Sequence, residues 1–117
     1  MNNTINSQIS FRAGIDSKFL NVADGFLKKQ PQKQYQQFQS AVRRFIEIPN
    51  SDHITITYKK SIKNGLPVYS LYANEAGKEP ILLTAKDQFR KLIQKFSYMN
   101  KYEFKIKTGL IKKQESL

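Results

Sequence analysis

Apolar positions recur along this chain at two spacings, and the switches between them predict the order of elements. Residues 9–13 (ISFRA) alternate apolar and polar, which predicts a short first strand before Gly14 breaks the pattern. Over 17–29, Phe19, Val22, Ala23 and Phe26 fall at helical spacing. Asp16 or Ser17 is placed to cap that helix, and Lys28 and Lys29 close it against the negative end of its dipole. Pro31 suits the first turn of a second helix over 31–47, where its missing N–H costs nothing. Tyr35, Phe38, Val42 and Phe45 mark the apolar face of that helix, and Pro49 with Asn50-Ser51-Asp52 ends it.

The spacing then changes to two. Residues 54–60 (ITITYKK) are β-branched and alternating, which predicts a strand. Asn64-Gly65 is a two-residue hairpin turn, because both positions tolerate positive φ. A return strand over 66–73 follows, and a turn of that length makes partner numbers sum to 129. Ile56 then opposes Ala73 and Tyr58 opposes Leu71 on an apolar face, while Lys59 opposes Ser70 and Thr57 opposes Tyr72 on the other. Residues 80–83 (PILL) predict a third strand. Thr84 with Asp87 reads as a capping box opening a helix at about 85–98. Phe89, Leu92, Ile93 and Phe96 form its apolar face, and Lys86, Arg90, Lys91 and Lys95 cover the opposite side. Residues 102–107 (YEFKIK) alternate again and predict a last strand with Tyr102, Phe104 and Ile106 inward.

These elements predict an α+β fold: an antiparallel sheet of three to five strands, with two N-terminal helices and one C-terminal helix on one face. Residues 1–8 read as a flexible lead, 9–109 as a single domain and 110–117 as a basic, flexible tail. At 117 residues the chain is long enough to bury a core without cross-links, and it has no Cys. No run approaches the ~20 apolar residues that span a bilayer, so a cytoplasmic protein away from the membrane is expected. With one His, no Cys and nine scattered acids, no metal site and no cofactor are expected.

Charge changes the picture. Lys and Arg number 20 against 9 acids, a net charge of +11. The excess is +3 over 1–53, +2 over 54–83 and +6 over 84–117. A charge of this size destabilises the compact state by self-repulsion, and binding a polyanion offsets it through counterion release. The predicted contact surface is Lys86, Arg90, Lys91, Lys95, Lys105 and Lys107, continued by Lys112 and Lys113. A second candidate is the hairpin, where Lys59, Lys60 and Lys63 accompany Tyr72, a pairing suited to stacked bases and phosphates. His53, the only histidine, is a candidate acid or base, with Lys59 or Arg90 to stabilise charge on a reacting phosphate.

The order strand, two helices, antiparallel meander over residues 9–83, together with the basic surface, resembles the small ribonuclease toxins of the RelE and colicin D type. The resemblance implies RNA cleavage by residues on the sheet, for which His53, Tyr58, Lys59, Lys60 and Tyr72 are the nearest positions. The chain departs from that pattern by continuing past the third strand into a basic helix, and by carrying no basic cluster on 80–83.

Three functions follow as expectations. The first is a non-catalytic module binding RNA or DNA through a basic C-terminal helix and strand. The second is a ribonuclease toxin using His53 and Lys59. The third is an inhibitor or accessory factor of a phage or mobile element that binds an acidic protein.

Overall fold

The computed structural model describes residues 14–110. The strand expected at 9–13, the lead at 1–8, and Lys112 and Lys113 of the tail lie outside the described residues.

Helix α1 (Ser17–Leu27) begins at Asp16, whose Oδ1 accepts from the Lys18 N–H at 3.0 Å. It buries Phe19, Ala23 and Leu27, while Val22 remains 38% exposed. Helix α2 (Gln32–Ile46) starts after Pro31 and buries Phe38, Ala41, Val42 and Phe45. A single 3-10 turn, Ser51–His53, leads into the sheet.

Strands β1 (Thr55–Lys63), β2 (Leu66–Asn74) and β3 (Ile81–Lys86) form an antiparallel sheet in sequence order. The β1–β2 register is the one the turn requires: Ile56 opposes Ala73, Tyr58 opposes Leu71, and Lys59 opposes Ser70. Both turn residues adopt positive φ, 54° at Asn64 and 79° at Gly65. Between β2 and β3 the register slips by one at Leu71/Tyr72, a bulge that leaves Leu83 as the extra residue.

Among the described residues, the free edge of β1 is closed near its start. The Ile56 N–H donates to Gly14 O at 2.7 Å, and its carbonyl accepts from the Asp16 N–H at 2.8 Å. Asp16 Oδ2 accepts from the Tyr58 N–H at 3.3 Å. Gly14 is required here, since its φ is +67° and a Cβ would stand 2.5 Å from Ile54 O. Past Tyr58 that edge runs on through Lys60 and Ile62 with no strand beside it among the described residues.

The C-terminal part departs from the periodicity in two places. Thr84 does not cap a helix. It lies in β3, which continues to Lys86 because β2 offers backbone partners as far as Tyr69. Helix α3 (Phe89–Ser97) therefore starts later than expected, after Gln88, with no side-chain cap. Residues 102–107 are not a strand but most of helix α4 (Lys101–Lys107), so among the described residues there are two C-terminal helices rather than one. Asn100 caps α4 by accepting from the Glu103 N–H at 2.8 Å. Of the three residues expected inward, Phe104 is fully buried, Ile106 is half-buried and Tyr102 is 60% exposed.

Aromatic rings join the layers. Phe96 lies 5.4 Å from Phe19, 5.3 Å from Phe38 and 5.5 Å from Phe104, so one side chain of α3 touches α1, α2 and α4. Phe89, at the other end of α3, meets Phe26, Tyr58 and Tyr69, and so anchors the base of the hairpin. Such ring pairs contribute about 0.5–1.5 kcal/mol each beyond their burial. The fold is thus α+β, with helices packed against a three-stranded sheet.

Candidate functional site

The cations of this chain divide into those the fold neutralises and those it leaves alone. On α3, Lys91 pairs with Asp87 at 3.2 Å, one turn apart. Lys95 reaches Glu103 of α4 at 2.6 Å, and Lys107 lies 4.0 Å from the same carboxylate. Lys107 also donates to Leu83 O at 3.5 Å. Arg90 donates to Gln88 at 3.3 Å and faces α1 and α2, away from Lys91 and Lys95. Lys105, half-buried on α4, has no ion-pair partner among the described residues. The predicted C-terminal surface is therefore split: Arg90 looks one way, Lys91 and Lys95 another, and three of its lysines share two carboxylates.

The hairpin is different. Residues 55–74 carry Lys59, Lys60 and Lys63 and no acid. All three lysines are exposed, and none has an ion-pair partner among the described residues. Pairing with β3 ends at Tyr69 opposite Lys86, so from Lys60 and Tyr69 to the Asn64-Gly65 turn the hairpin is a two-stranded ribbon. Ribbon length follows from the rise of about 3.4 Å per residue, roughly 10 Å from Lys60 to Lys63.

Register also assembles a row that residue-by-residue reading of the lysines missed. Lys60, Tyr69 and Lys86 stand side by side across the three strands. Lys60 Nζ lies 5.5 Å from the centre of the Tyr69 ring, within cation–π range. The signal was present in the sequence, since 60 and 69 sum to 129. At the tip Ile62 and Leu66 are 66% and 65% exposed, one on each face of the ribbon. Lys59 and Tyr72 share the face opposite the core, with Tyr72 half-buried and Thr57 accepting from Asn74 at 2.7 Å beside it.

The residues proposed for cleavage do not converge. His53 is exposed in the 3-10 turn, and Lys59 lies well along β1, roughly 13 Å beyond Thr55 alone. Tyr58 points into the core, against Phe19 and Phe89, and burial with the neighbouring Tyr69 raises its pKa above 10.0. Lys59 and Tyr72 occupy one face of the sheet, Tyr58 and Lys60 the other. Among the described residues no cluster of three His, Cys, Asp or Glu side chains could hold a metal ion. No helix among them is long and apolar enough to cross a membrane.

No family model, no curated protein and no solved structure matches this chain.

Proposed function

We propose that this protein is a non-catalytic nucleic-acid-binding module whose main contact is the β1–β2 hairpin. What supports the reading is one contrast. The hairpin has lysines without carboxylates, whereas three of the cations on the C-terminal surface, Lys91, Lys95 and Lys107, lie beside Asp87 or Glu103. Lys59, Lys60, Lys63 and Lys86 then supply phosphate contacts, Arg90 and Lys105 lie outside that group, and the exposed tip residues Ile62 and Leu66 follow the ribbon into a groove. A two-stranded ribbon is one of the two shapes the major groove of duplex DNA admits. The non-catalytic part rests on the separation of His53 from Lys59.

The test is binding to a nucleic-acid duplex as a function of salt. Four phosphate contacts give a slope of log K against log salt of about −3.6, or roughly a hundredfold loss between 50 and 200 mM. Neutralising the hairpin as K59Q/K60Q/K63Q should remove about three-quarters of that slope, while K91Q/K95Q should change it little. Salt-independent binding, or loss on K91Q/K95Q but not on the hairpin variant, overturns the assignment. Capture of an acidic protein that persists after nuclease treatment favours a protein partner instead.

A further inference from the structure

A second feature, between helices α2 and α3, involves no residue of the hairpin. Where α2 packs beside α3, an open furrow runs along the contact and continues to the α3–α4 junction. Its larger part is a shallow groove of about 480 Å³, and its smaller part a notch of about 90 Å³. The two parts share Gln37, Ser97 and Tyr98.

The chemistry of the walls is uneven. No carboxylate lines either part. Three cations do: Lys33 and Arg44 from α2, and Arg90 from the start of α3. Seven residues of helix separate Arg90 from Ser97, so positive charge stands at both ends of a run of roughly 10 Å. Between them lie side-chain amides, Gln34, Gln36, Gln37 and Gln94. An amide presents a donor and an acceptor side by side, the arrangement that matches the edge of a nucleobase.

One ring occupies the junction. Tyr98 is 62% exposed, and its hydroxyl donates to Gln37 Oε1 at 3.1 Å. That bond holds the ring in place and leaves it open to a stacking partner. Arg44 stiffens the floor by donating to Ser97 O at 2.7 Å and to Met99 O at 3.0 Å. Ser97 Oγ, on the same wall, is buried with no hydrogen-bond partner among the described residues.

From these walls we infer that the furrow binds a nucleotide unit. The base stacks on Tyr98 with its edge toward the Gln37 amide, and the phosphate is held by Arg44 at one end or by Lys33 and Arg90 at the other. The unit is either a free nucleotide or one residue of a single strand, since both present the same base and phosphate.

Amide chemical-shift titration of the full chain with adenosine monophosphate, and separately with a single-stranded hexanucleotide, tests this. Shifts at residues 33–44 and 97–100 are expected. A hexanucleotide that binds tighter than the monophosphate identifies a strand, and equal affinities identify a free nucleotide. Tyr98→Leu keeps an apolar side chain but removes the stack, and should weaken binding at least fivefold. Lys33→Gln, at an exposed position outside the core, should weaken it severalfold. K59Q/K60Q/K63Q should leave this titration intact, so the furrow and the hairpin fail separately. If neither ligand moves those amides, or if Tyr98→Leu binds as well as the parent protein, the inference is overturned.

Discussion

Asp16 ties two elements with one carboxylate: Oδ1 caps α1 and Oδ2 holds the Tyr58 N–H on the edge of β1. Asp16→Ala loses both, and urea denaturation should show about 1–2 kcal/mol less stability. Tyr58 makes a different prediction. Folding holds its phenol neutral, because burial first and Tyr69 second raise its pKa above 10.0. The stability this brings is complete below pH 10 and is lost as pH climbs from there through the folded-state pKa. Tyr58→Phe has no such proton to lose, so its decline between pH 9 and 11 should be shallower than that of the parent. Identical alkaline profiles would remove Tyr58 from the explanation.

At the scale of elements the hairpin is the most predictable part and α4 the least. Gly65 needs a positive φ but has nothing within 4 Å of where its Cβ would go, so Gly65→Ala should cost only about 1 kcal/mol. Gly14→Ala adds a collision with Ile54 O and should cost clearly more, with the two compared by thermal unfolding. The hairpin was legible because turn chemistry and alternation agree on one register. The segment 102–107 was not, because YEFKIK is short and satisfies an alternating pattern while a helix also buries Phe104. The cue that decides it is Asn100 followed by Glu103, a cap three residues before an acid. At Thr84 and Asp87 the reverse holds: a cap-like pair lies in and just past a strand, because unsatisfied backbone on β2 outweighs a local preference. The Lys91–Asp87 pair could be read at helical spacing, but the Lys95–Glu103 pair depends on α4 being a helix. For the same reason the furrow was out of reach. Gln34 and Gln37 are ordinary surface residues of one helix until α3 is laid against them.

For the whole molecule, the net charge of +11 is distributed unequally among surfaces. Where the last two helices meet, acids answer the lysines. Among the described residues no acid pairs with the hairpin lysines, and in the furrow the walls are cationic and amide-rich without a carboxylate. Two surfaces of this kind predict two separable affinities, a salt-steep one for duplex and a stacking-dependent one for unpaired nucleotides. Competition should expose them. Excess hexanucleotide should leave duplex held by the hairpin, and K59Q/K60Q/K63Q should weaken the duplex component alone.

Among the described residues the edge of β1 beyond Tyr58 has no strand beside it, which makes the hairpin lysines guards against self-association as well. Lys60 lies on that edge and Lys59 and Lys63 beside it, so a second chain docking strand to strand would bring like charges together. A charge-neutral hairpin should therefore multimerise or precipitate as its concentration rises, which sedimentation can follow, and its weakened duplex affinity must be read at concentrations where it is still monomeric.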